Sequence, residues 1–68
     1  MRIHVNGEPR EVNARTVAAL LDELRGADAP REGVAVAVDG EVIPRAEHVT
    51  HALYEGARVE VIRAVGGG

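Results

Sequence analysis

The stretch TVAALLDELRG, residues 16–26, decides how the rest of the chain must be read. Val17, Leu20, Leu21 and Leu24 stand at i, i+3, i+4 and i+7, which puts them in one apolar stripe along a helix. Thr16 precedes the stripe as an N-cap, where its hydroxyl accepts a bond from an otherwise orphan amide. Arg25 suits the negative end of the helix dipole, and Gly26 suits the left-handed position just past it. The stripe has to be covered by a sheet. Leu21 is expected within that contact, with truncation to alanine costing ~2–5 kcal/mol.

On the N-terminal side, MRIHV (residues 1–5) alternates, with Met1, Ile3 and Val5 on one face and Arg2 and His4 on the other, as a half-buried strand does. Asn6-Gly7 is the strongest short hairpin signal, because a type I′ turn needs two residues that tolerate positive φ. A second short strand is expected over about residues 10–13. Pro9 lacks an N–H and belongs at that strand's start or on a sheet edge.

On the C-terminal side, ADAPREG (27–33) is a loop. VAVAV (34–38) alternates valines with alanines, Asp39-Gly40 turns the chain back into EVI, and Pro44 stops that strand. Residues 45–57, RAEHVTHALYEGA, fit a helical turn followed by a loop with Gly56 at its exit. RVEVIRAV (58–65) is the last strand, and Gly66, Gly67 and Gly68 follow it. The order is β-β-α-β-β-(short turn)-β. One amphipathic helix covers one face of one sheet, which makes an α+β roll with a mixed sheet of about four to five strands. The first and last strands, rich in valine and isoleucine, are expected side by side at its centre. That order matches the β-grasp, or ubiquitin-like, fold, with one domain over residues 1–65 and a flexible tail over 66–68.

Composition narrows the function. The 68 residues contain no cysteine, which removes disulfides, thiolate metal sites and a thiol nucleophile together. All 8 basic residues are arginine, so no lysine is present for Schiff-base chemistry. With 11 acidic residues and Tyr54 as the single aromatic, the chain lacks the basic, stacking surface of a nucleic-acid binder. No apolar run approaches the ~20 residues that span a bilayer. These features suggest a soluble, cytoplasmic protein that is not an enzyme. His48 and His51 stand at i, i+3, but with no third ligand nearby they read as solvated loop histidines rather than metal ligands. The charges of DELRG and REG read as ordinary solvated surface.

What remains is the end of the chain. A glycine arm can thread a channel too narrow for any other residue. Three residues reach roughly 10 Å beyond Val65, enough to carry the α-carboxylate of Gly68 into another protein's active site. The alternative is a frayed terminus without a role.

The opening strand with NG, the TVAALLDEL helix, VAVAVDGEVIPR and EGARVEVIRAVGGG together resemble the ThiS family, the sulfur carriers of thiamin biosynthesis. The resemblance covers essentially the whole chain. It implies that a ubiquitin-activating-like enzyme of the ThiF type, using ATP and Mg, adenylates the terminal glycine. Sulfur derived from cysteine then displaces AMP, leaving a thiocarboxylate from which a thiazole synthase of the ThiG type takes the sulfur. The family's final glycines map onto Gly67 and Gly68, with Gly66 as an added third. The chain itself would bind no cofactor and act as a free monomer.

Two other readings stand beside this one. The small subunit of molybdopterin synthase shares fold and tail but carries aromatics and proline before its glycines, where this chain has VIRAV. A plain β-grasp interaction module would leave the tail idle. In the last strand, Ile62 and Ala64 alternate away from Val59 and Val61. With Ala35 and Ala37 they form either a small docking patch flanked by Arg58 and Arg63, or the site of a bulge that turns Ile62 inward.

Overall fold

The computed structural model describes residues 1–25 and 33–63. Gly26, most of the 27–33 loop, Ala64, Val65 and the glycines 66–68 lie outside the described residues, and so do the expectations attached to them.

Five strands and one helix follow in the order β1 (Arg2–Val5), β2 (Glu8–Glu11), α1 (Val17–Arg25), β3 (Val34–Val38), β4 (Glu41–Ile43) and β5 (Arg58–Arg63). A short 3-10 turn, Arg45–Glu47, sits between β4 and β5. They build one sheet in the order β2-β1-β5-β3-β4. β1 and β5 are parallel neighbours at its centre, and every other pairing is antiparallel. This is the β-grasp arrangement.

Two tight turns set the register. Asn6 and Gly7 have φ of 51° and 84°, and Asp39 and Gly40 have the same pair of values. Positive φ at both central residues is the type I′ signature, whose twist matches that of the flanking strands. Because each turn uses only two residues, pairing resumes at once, with Val5 opposite Glu8 and Val38 opposite Glu41. The second strand therefore begins at Glu8, earlier than the 10–13 expected from sequence, and Pro9 lies inside it. The ladder tolerates this. Pro9 is in register with His4, whose own N–H turns the other way to the Ala57 carbonyl at 2.9 Å, so the missing donor faces the open edge. Proline and the charged side chains of Glu8, Arg10 and Glu11 blunt that edge against strand addition.

The core lies between α1 and the sheet. Ile3, Val17, Leu20, Val36 and Val59 are its largest fully buried side chains, and Val12, Ala14, Ile43, Leu53 and the fully buried Ala57 close it from the loops and the edge. Leu20, not Leu21, sits at the centre of the helix contact. Leu21 and Leu24 are only partly buried, because the stripe is wider than the contact and its far side borders an open groove.

The N-terminus of α1 is fully partnered. Ala19 N–H donates to the Thr16 hydroxyl at 3.2 Å, as the N-cap requires. Val17 N–H donates to the His51 carbonyl and Ala18 N–H to the His48 carbonyl, at 3.1 and 2.8 Å. Residues 45–57 thus form a short helical turn and a loop, as expected, but the loop is fastened to the helix. It corrects the reading of His48 as a solvated histidine. That side chain is 8% exposed, and its Nε2 donates to the Ile43 carbonyl at 3.0 Å, a bond that ties the loop to β4. His51 is half-buried. Among the described residues no three metal-ligating side chains come together. Glu23 departs from the plain solvated-charge reading as well, because its carboxylate accepts the N–H groups of Asn13 and Ala14 at 3.0–3.3 Å. Among the described residues no helix is long and apolar enough to cross a membrane.

Two outcomes follow for urea denaturation. Leu20→Ala should lower stability by ~2–5 kcal/mol, with Leu21→Ala costing clearly less, since only the first empties a filled site. Glu23→Ala should cost about 1–3 kcal/mol by leaving two loop amides without an acceptor, and Glu23→Gln should recover part of that.

Candidate functional site

β5 is the middle strand of the sheet, and its side chains alternate between the two faces. Val59 and Val61 turn toward α1, the first buried and the second packed at the rim of the core. Arg58, Glu60 and Ile62 turn to the opposite face, and all three are exposed. The register with β3 runs unbroken from Val34 opposite Arg63 to Val38 opposite Val59. An unbroken register leaves no room for a bulge, so Ile62 points outward, with 58% of its surface exposed.

Ile62 has apolar neighbours on that outer face. It stands opposite Ala35, while Glu60 stands opposite Ala37. Ala37 in turn pairs with Val42 of β4, which is 69% exposed. Ile62, Ala35, Ala37 and Val42 therefore make an apolar strip across three adjacent strands, with alanines keeping its middle shallow. Val42 was not among the residues expected there. The two-residue turn at Asp39-Gly40 could have revealed it, since that turn alone places residue 42 opposite residue 37.

The two arginines expected to flank this patch are separated. Arg58 shares the outer face with Ile62, whereas Arg63 has the opposite parity. Arg63 lines a groove of about 810 Å³ on the helix side, together with Val61, Val34, Leu21, Leu24 and Arg10. Among the described residues neither arginine makes an ion pair. Ala64, the fourth patch residue, lies outside the described residues, as do Gly66, Gly67 and Gly68. Arg63 is thus where the described chain hands over to the glycine arm.

β5 is held along both sides, and side chains from the two tight turns take part. On the β3 side, Asp39 N–H donates to the Arg58 carbonyl at 2.7 Å, and Asp39 Oδ1 accepts the Arg58 N–H at 3.0 Å. On the β1 side, Asn6 N–H donates to the Val59 carbonyl at 2.9 Å. The Asn6 carboxamide then reaches one step further. Its Oδ1 accepts the Val61 N–H at 2.9 Å, and its Nδ2 donates to the Val61 carbonyl at 3.3 Å. Both turn residues were legible as turn formers, but their grip on the last strand was not.

Comparison with known proteins agrees with this geometry. A family model described as ThiS family matches residues 3–68. The crystal structure of a thiamine biosynthesis protein (ThiS) from Geobacter metallireducens superposes with a TM-score of 0.80 at 34% identity, covering all of both chains. A solution structure of a thiamine biosynthesis protein from the same organism gives 0.77 at 35% identity, covering all of this chain and 88% of that one. A thiazole synthase of Paramagnetospirillum magneticum is 38% identical over 69 residues. All of the present chain takes part in that match, yet it spans only 20% of the length of that relative.

The outward placement of Ile62 has a direct consequence. Ile62→Glu should change thermal stability by no more than about 0.5 kcal/mol, as for an ordinary surface site, while Val59→Glu should abolish folding. Circular dichroism melts of the two variants would distinguish them.

Proposed function

The chain belongs to the ThiS family, and from that premise we propose that it is a sulfur carrier of thiamin biosynthesis whose reactive group is the C-terminal carboxylate of Gly68. The observation that carries this reading is the match over residues 3–68, which takes in the final glycines together with the whole fold.

The carboxylate needs help to react. With a pKa near 3.5 it is ionised at neutral pH and is a poor electrophile. A partner of the ubiquitin-activating type supplies ATP and Mg, and a carboxylate oxygen attacks the α-phosphorus, expelling pyrophosphate. A persulfide carried by the sulfur donor then displaces AMP to form an acyl disulfide. Attack of a thiol on the donor-side sulfur breaks its S–S bond, leaving a disulfide and releasing the terminal thiocarboxylate. Its sulfur holds the charge on a soft, nucleophilic atom that never has to be released as sulfide. Thiazole synthase is the acceptor in this reading. A protein of that name contains a segment 38% identical to the entire present chain, which favours the thiazole branch over the molybdopterin one.

The chain's own contribution is presentation. Gly66 and Gly67 are slim enough for a narrow channel. The outer strip of Ile62, Ala35, Ala37 and Val42 offers a partner an apolar surface beside the strand that bears the arm, with Arg58 on the same face.

Intact-protein mass spectrometry after incubation with an activating enzyme, ATP and a sulfur source tests the reading. The expected result is replacement of one oxygen by sulfur in the full-length chain and no change in a variant lacking Gly66, Gly67 and Gly68. An unchanged mass in the full-length chain would leave only an interaction module. Supplying the product to thiazole-forming and molybdopterin-forming enzymes should yield thiazole alone. Ile62→Glu should lower the kcat/KM of thiocarboxylation about tenfold or more, as loss of an apolar anchor does.

A further inference from the structure

The parallel pairing of β1 with β5 ends early. β1 runs only to Val5, because Asn6 and Gly7 turn the chain back toward β2. β5 continues to Arg63, so on the β1 side its last residues run past the end of the main-chain ladder, while β3 stays paired with them to Arg63. The groups of Val61 that face β1 would then have no strand beside them. The Asn6 carboxamide fills that gap. It presents one acceptor and one donor, as a peptide group does, and pairs with both the N–H and the C=O of Val61. Its orientation is set by its partners, since the Val61 N–H can only donate and must meet Oδ1.

The comparison with Asp39 shows why the two turns differ in their first residue. At the other end of β5 the Arg58 carbonyl is already satisfied by the Asp39 main chain, so only the Arg58 N–H needs a partner. A carboxylate suffices there. At Val61 both groups need partners, and a carboxylate would set its second oxygen against the carbonyl. Asparagine answers both demands while tolerating the positive φ of the turn.

We propose that Asn6 is a positioning residue for the root of the C-terminal arm: its side chain extends hydrogen bonding on the β1 side to Val61, so that the end of β5 is held along both edges. The proposal rests on the reading of Gly68 as the reactive end. A root held in one direction reduces the conformational freedom that must be lost when the arm enters an active site. In this proposal Asn6 acts through Val61 and not on the reacting atoms.

The test compares the wild-type chain with Asn6→Gly, Asn6→Asp and Asp39→Gly. Asn6→Gly keeps the turn and removes the clamp, Asn6→Asp keeps the acceptor alone, and Asp39→Gly loosens the far end of the same strand as a control. Amide hydrogen exchange should show Val61 about tenfold less protected in Asn6→Gly and close to wild type in Asn6→Asp, which keeps the acceptor, with Val59 unchanged in both, as expected for loss of a local hydrogen bond. In the thiocarboxylation assay Asn6→Gly should raise KM for the carrier about threefold to tenfold with kcat unchanged, because the loss falls on docking and not on chemistry. Asp39→Gly should leave KM at the wild-type value. Unchanged Val61 protection in Asn6→Gly, or weaker protection there with wild-type KM, would overturn the proposal. So would equal KM increases in Asn6→Gly and Asp39→Gly, which would mark a general loss of strand stability. If the wild-type chain gains no sulfur at all, the carrier reading itself falls and takes this proposal with it.

Discussion

The structure depends on hydrogen bonding along both edges of one strand. β5 lies third in a sheet of five, between a parallel neighbour from the start of the chain and an antiparallel neighbour from its middle. A parallel partner has to come from far away in sequence, because two parallel strands cannot be joined by a tight turn. The first residues of the chain therefore hold the last described ones. The N-terminus is itself tied down, with the Met1 ammonium donating to the Val12 carbonyl at 2.9 Å and lying 3.2 Å from the Glu11 carboxylate. The last described residues thus belong to the middle strand of the sheet.

The helix and the loop between β4 and β5 form the second half of the same arrangement. A chain of 68 residues has little core to spare, so unpartnered amides weigh heavily in its stability. The first turn of α1 is satisfied by the Thr16 hydroxyl and by two carbonyls of the loop. The loop is fixed in turn by the buried His48. On the other flank the Glu23 carboxylate gathers the amides that lead into the helix. These contacts leave the outer face of the sheet free of structural duty. Small alanines and exposed Ile62 and Val42 can stand there without weakening the core.

Much of the fold was legible because it rests on local patterns. The helix stripe, the Thr16 cap, both two-residue turns and the alternation of β1, β3 and β5 each follow from residues close together in sequence. The neighbouring of β1 and β5 followed from their apolar character. Misreadings arose where distance in sequence intervened. Leu20 and Leu21 are equivalent in helical periodicity, and only the position of the sheet decides between them. His48 looks like a loop residue until the loop is seen packed on the helix. Arg58 and Arg63 are the exception, since the alternation of their own strand already puts them on opposite faces.

By itself, then, the sequence determined the elements, the tight turns that set hairpin register, the family and the glycine ending, since each is encoded by neighbouring residues. Only the tertiary structure decided that Ile62 and Val42 share a surface, through the pairing of β5 with β3, and that Asn6 grips Val61 across 55 positions of chain. The physical reason is that periodicity says which side of its own element a residue takes. What lies beyond that side depends on packing between segments that no local pattern relates.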